Sequence, residues 1–192
     1  MKKHMIVYSL LVMLLAANSA NAQRFFKGQQ GIEIRGGLAN GYFFAKDQNA
    51  TYYLGAAFNH YTAISSRWVV GAEYYHKRYA YEDRSLNLAQ FTGEIGHYFP
   101  LIADRGRNVI LSAGASAIAG YERLNWGVHE LYDGGTLLNQ DQFIAGGAAS
   151  LEAELFVNDK LILFINGREK LLFNAHDKFN SQIGIGAKIM IR

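Results

Sequence analysis

The chain has 192 residues, one proline, no cysteine, 20 Gly, 12 Tyr and 12 Phe, and a formal net charge of +3. Without cysteine neither disulfides nor thiolate metal sites hold the fold. The charge is mild and no basic run is interleaved with aromatics, so direct nucleic-acid binding is not expected. The length suits a single domain.

The first 22 residues read as a cleaved signal peptide. Lys2, Lys3 and His4 form a basic start, residues 5–17 a short apolar run, and Ala20, Asn21 and Ala22 the small residues before Gln23. The run is shorter than the ~20 residues a spanning helix needs. Removal of Lys2 and Lys3 would take away two of the three net positive charges. The expected organisation is a signal peptide, 1–22, followed by one barrel domain, 23–192.

Eight segments of the remaining chain have a two-residue rhythm, each about as long as the ~9–11 residues of a tilted membrane strand. In residues 31–40, Ile32, Ile34, Gly36 and Leu38 share one face and Glu33 and Arg35 the other. Residues 52–61 put Tyr52, Leu54, Ala56 and Phe58 on one side. Residues 67–77 set Trp68, Val70, Ala72 and Tyr74 against Glu73 and Lys77. Residues 88–99 set Phe91, Gly93, Ile95 and Phe99 against Gln90, Thr92 and Glu94.

The later segments are clearer. Residues 109–122 carry Val109, Leu111, Ala113, Ala115, Ala117 and Ala119 on one face. Residues 145–157 have a wholly apolar face and a second bearing Glu152 and Glu154. Residues 160–170 set Leu161, Leu163 and Ile165 against Phe164, Asn166, Arg168 and Lys170. Residues 179–192 set Phe179, Ile183, Ile185, Ala187, Ile189 and Ile191 against Asn180, Gln182, Lys188 and Arg192. No segment sustains a 3.6-residue apolar period, so little helix is expected beyond the signal peptide.

Successive strand side chains point to opposite faces. After an export signal, the consistent assignment is apolar face to lipid and charged face to a barrel interior. A sheet edge in hydrocarbon leaves unpaired amides and carbonyls, so the strands must close on themselves. The fold class is thus an all-β, eight-stranded antiparallel outer-membrane barrel with up-and-down connections. With the N-terminus in the periplasm, the external loops are 41–51, 78–87, 123–142 and 171–178, and the periplasmic turns are 62–66, 100–108 and 158–159.

Eight strands enclose an interior that side chains can fill. The expected lumen charge network is Glu33, Glu73, Glu94, Glu152 and Glu154 against Arg35, Lys77, Arg168 and Lys188, forming a plug of ion pairs and not a pore. Aromatics towards strand ends suit two interfacial girdles: Tyr42, Phe43, Tyr52, Tyr61, Trp68, Tyr79, Tyr81, Phe99, Tyr121, Trp126, Phe143 and Phe173.

Catalytic and metal chemistry find little support. His60, His76, His97, His129 and His176 show no metal-ligand spacing, and no cofactor is expected. His97 with Ser181 would be the pair for an outer-membrane lipid or ester hydrolase, but no nucleophile elbow accompanies them. Glu130, Asp133 and Asp141 read as solvated loop charges. The stretch from Glu73 to Arg84 alternates charge with tyrosine. Its residues Arg78, Tyr79, Tyr81, Glu82, Asp83 and Arg84 form either a recognition loop or a loop root at the lipid headgroups.

That tyrosine-rich block, Val70 to Arg84, together with Ala89-Gln-Phe-Thr-Gly-Glu94, Ala117-Ile-Ala-Gly-Tyr-Glu122, Asn125-Trp-Gly127 and Tyr132-Asp-Gly-Gly135, resembles the TraO conjugal transfer proteins of Bacteroides-type conjugative transposons. The likeness spans nearly all of the mature chain, from Gly28 to Lys188. It implies a non-enzymatic outer-membrane component of a conjugative DNA-transfer apparatus, with outer-membrane lipid and other transfer proteins as partners; it supplies no catalytic residues. Two other readings are a generic structural barrel and a soluble periplasmic barrel with the faces reversed.

Overall fold

The computed structural model describes residues 27–40, 51–63, 65–81, 84–124 and 141–191, without the side chains at 63, 80, 81, 84 and 85. The expected signal peptide, Tyr42, Phe43, Glu82, Asp83, Trp126, His129, Glu130 and Asp133 lie outside the described residues, as do the side chains of Tyr81 and Arg84.

Eight strands follow in order: β1 (Gln30–Ala39), β2 (Tyr52–Ala63), β3 (Ser66–Tyr81), β4 (Arg84–Ala103), β5 (Val109–Leu124), β6 (Asp141–Phe156), β7 (Leu161–Phe173) and β8 (Phe179–Met190). Each pairs antiparallel with its sequence neighbour, and β8 closes on β1. The eight-stranded, up-and-down closed barrel is the architecture expected from the sequence.

The face assignment holds strand by strand. On β7, Ile162, Phe164, Asn166, Arg168, Lys170 and Leu172 are buried in the interior, while Leu163, Ile165, Leu171 and Phe173 are exposed on the outer wall. On β8, Ile183, Ile185 and Ile189 face out and Gln182 and Lys188 face in. The outer surface is therefore mostly a belt of Ile, Leu, Val, Phe and Trp that would be unfavourable in water, while most mid-strand charges lie within.

The pairing register fixes the stagger. A line across the sheet runs from Gln30 through His60, Trp68, His97, Ala115, Ala149, Glu169 and Ser181. It returns just past the end of β1 at Asn40, whose N–H donates to the Ser181 carbonyl at 2.9 Å. Neighbouring strands are thus steadily displaced, and the strands tilt by about 40° to the barrel axis, as closure of a staggered sheet requires. One rim, here proximal, carries the start of β1 and the end of β8; the other is distal.

Four expectations change. Residues 78–87 are not an open loop: Arg78 pairs with Asn87, Tyr79 with Leu86, Ala80 with Ser85 and Tyr81 with Arg84, so β3 and β4 continue as a hairpin. A polar, tyrosine-rich sequence lacks the apolar alternation that marks a lipid-facing strand, yet hairpin pairing does not need it. The 100–108 turn shortens, because β4 continues to Ala103. Its register shifts between Pro100 and Ile102, which places the chain's sole proline at a bulge, where its missing N–H does least harm. β7 likewise runs on to Phe173, within the expected 171–178 loop. Finally, two expected girdle residues turn inward: Tyr79 bonds Asp177 through its hydroxyl, and Tyr61 is fully buried in the barrel interior. The parity of Tyr61 is opposite to that of Tyr52, Leu54, Ala56 and Phe58.

Candidate functional site

The inward faces build a layered interior. At the proximal end Tyr61, Ile110, Phe156, Ile162 and Met190 form an apolar cluster. At the distal end Tyr53, Tyr75, Leu88, Leu124 and Ala39 form a second, beside Ile118, Ile144, Ala148, Leu172 and Ala175. Between them lies a layer of buried charge.

The proximal half of that layer is built by β1, β3, β6 and β8. Arg67 donates to Glu152 at 2.5 Å and approaches Glu154 at 3.5 Å. Lys188 bonds both Glu152 and Glu154, the latter at 2.6 Å, and reaches Glu33 at 3.8 Å. Asn59 donates its amide to Glu33 at 3.1 Å and accepts from Arg67 Nε at 2.9 Å. Two aromatic faces complete the cation environments: Tyr98 lies 4.5 Å from the Arg67 guanidinium and Phe164 lies 4.6 Å from Lys188 Nζ.

The distal half centres on Glu73. It accepts from Arg168 at 3.1 Å, from Arg35 at 3.4 Å, from Gln182 at 2.8 Å and from Lys170. Glu94 accepts from both Arg35 and Arg168. Arg35 also donates to Glu33 at 3.2 Å, which joins the two halves. Buried ions need such multiple partners, since desolvation otherwise exceeds the attraction gained.

Eight of the nine expected lumen residues meet in this layer: Glu33, Arg35, Glu73, Glu94, Glu152, Glu154, Arg168 and Lys188. Lys77 does not. It sits near the distal mouth, 2.6 Å from Asp177 and over the Tyr79 ring. Two cations missing from the expected set take part, Arg67 and Lys170. Both lie on the inward parity of their strands, so alternation could have flagged them. The layer then holds five glutamates and five basic residues, and its formal charge cancels.

The distal mouth carries a smaller polar cluster. Glu122 is fully buried and accepts from Gln90 at 2.6 Å, from Gln142 at 2.8 Å and from the His176 N–H at 3.1 Å; the His176 ring lies 2.5 Å away. Asp177 accepts from Lys77 and from the Tyr79 hydroxyl at 3.0 Å. The β7–β8 connection is thereby tied across the opening. Of the six expected recognition residues, Arg78 is exposed on the β3–β4 hairpin and Tyr79 turns towards Asp177.

The pair proposed for hydrolysis is not assembled. His97 on β4 contacts Ser66 at 3.2 Å and the Trp68 ring, whereas Ser181, on β8 across the barrel, donates to Glu169. No group of three or more His, Cys, Asp or Glu side chains that could hold a metal occurs among the described residues.

A family model described as conjugative transposon protein TraO matches residues 26–191. No match was found among curated protein sequences. Among solved structures, Neisserial surface protein A is similar with a TM-score of 0.58 and 11% identity, over 84% of this chain and 95% of that one. The attachment invasion locus protein Ail of Yersinia pestis, solved with the heparin analogue sucrose octasulfate, gives 0.56 and 10%, over 86% and 100%. The outer membrane protein OprG of Pseudomonas aeruginosa gives 0.52 and 12%, over 86% and 98%. At such identities the likeness is one of fold.

Proposed function

The chain belongs to the TraO family of conjugative transposon proteins, and from that membership we propose that it is a non-enzymatic outer-membrane component of a conjugative DNA-transfer apparatus. It acts as a closed, lipid-embedded post that presents its distal loops and hairpin to other transfer proteins or to the recipient surface. The observation that carries the reading is the combination of an apolar outer belt with a lumen filled by paired charge. A barrel so filled has no passage for a nucleic acid strand, which puts the working surface on its exterior, the loops first. A generic structural role in the outer membrane predicts the same belt but no dependence of transfer on the loops.

Export depends on the N-terminal segment. Cleavage after Ala22 leaves Gln23 as the first residue; mass measurement of the protein from outer membranes checks this, and an intact Met1 would contradict it. The transfer role is tested by replacing the Arg78–Asn87 hairpin tip and the distal loops separately with short neutral turns. At least one such variant, still folded and in the outer membrane, should lower transfer frequency roughly tenfold or more. Unchanged transfer in all of them, and in a deletion, would end the reading.

A further inference from the structure

One carboxylate points the wrong way for this architecture. Glu169 lies on the outward parity of β7 and is exposed on the outer wall. It is not at a rim: Leu171 and Phe173 stand beyond it on the distal side, and Ile165 and Leu163 on the proximal side, all of them exposed. Its hydrogen bond comes from the Ser181 hydroxyl on β8. A carboxylate has about four lone-pair sites, so one hydroxyl leaves it far from satisfied in a hydrocarbon setting.

The wall around it differs from the rest of the belt. Ala149 is directly opposite Glu169 on β6, and Gly147 and Ala145 continue that outward row. Beside Glu169 on its own strand is Gly167, where an added Cβ would meet no atom within 4 Å. Elsewhere the belt bears Trp68, Phe58, Phe91 and Ile95. Side chains as small as Ala and Gly let an apposed backbone come close enough for a side chain to reach Glu169.

Charge decides the occupant. Among the described residues the outward lysines and arginines lie at rims and turns: Lys27, Arg78, Arg105, Arg107, Arg123, Lys160 and Lys178. Arg123 is already 3.2 Å from Asp141. The described residues of a second copy therefore offer no cation at the depth of Glu169. We propose that the β6–β7–β8 wall centred on Glu169 is a docking surface for a membrane-embedded segment of another protein, which brings a lysine or arginine to this carboxylate.

The test uses the full chain in its native cell, with a photo-crosslinking amino acid in place of Gly167, in wild-type, Glu169→Gln and Glu169→Lys backgrounds. Heat-modifiable migration shows that each barrel has folded. The expected result is a discrete protein adduct that falls roughly tenfold with Glu169→Lys and several-fold with the near-isosteric Glu169→Gln, as loss of a desolvated charge pair requires. It should recover with Glu169→Lys when the basic residue of the captured segment is changed to glutamate. If Glu169→Lys does not fold, Glu169→Gln carries the comparison. Adducts to lipid only, an adduct of twice the chain mass, or a protein adduct equal in all backgrounds would overturn the proposal. The readout is capture and not transfer, so it stands or falls separately from the transfer role.

Discussion

Glu73 shows what a single inward residue does in this barrel. It sits where Arg35, Arg168, Lys170 and Gln182 converge from three strands. Removing its charge leaves buried cations with too few partners, the costly half of the asymmetry between breaking and replacing an ion pair. Glu73→Leu should destabilise the folded barrel by about 3–5 kcal/mol, measured by urea unfolding in lipid vesicles; a change near zero would show that the layer repacks freely. Space for the large inward rings comes from neighbouring glycines. A Cβ at Gly114 would fall 2.6 Å from the Tyr98 ring, and one at Gly186 would strike Phe164. Alternation made the direction of Glu73 legible in the sequence. Depth was not legible, which is why Lys77 joined the expected layer; Arg67 and Lys170, inward by the same alternation, were within its reach and were left out.

At the scale of the element, each strand is defined by its period of two and each turn by local hydrogen bonding. The β4–β5 turn is held by Asp104, whose carboxylate accepts from the Val109 N–H at 2.9 Å and the Gly106 N–H at 3.2 Å. These backbone bonds, that from Val109 foremost, hold its carboxyl below the usual range. A depressed carboxyl contributes stability above its unfolded pKa of about 3.9, and that contribution is lost as the pH falls through the folded value. Exchange of the Val109 amide hydrogen should therefore be slow from neutrality down to about pH 4 and then speed up beyond the intrinsic acid trend. Asp104→Asn should abolish that acid-side step; a step that persists would place the titrating group elsewhere. The 78–87 segment was the element least legible in the sequence, because pairing beyond an apolar belt leaves no hydrophobic signature.

At the scale of the whole molecule, closure does two things together. It removes the sheet edges, and it converts eight one-sided strands into an interior whose charges cancel between two apolar clusters. The sealed interior predicts that the purified protein in a planar bilayer gives no stepwise conductance of porin size. Such steps from a homogeneous folded monomer would contradict the filled lumen. Replacing Arg35 and Arg168 together with alanine should loosen the layer, detected as greater susceptibility to unfolding before any channel appears.

By itself the sequence determined the strand count, the facing of each strand and the family, since alternation is local and the tyrosine-rich motif is contiguous. Only the tertiary structure decided which charges meet. Residues distant in the chain, such as Arg67 and Glu152 or Lys170 and Glu73, come together across the lumen only after the stagger of eight strands sets their heights. The same stagger left Glu169 on the outer wall between apolar neighbours, with no counter-charge beside it among the described residues.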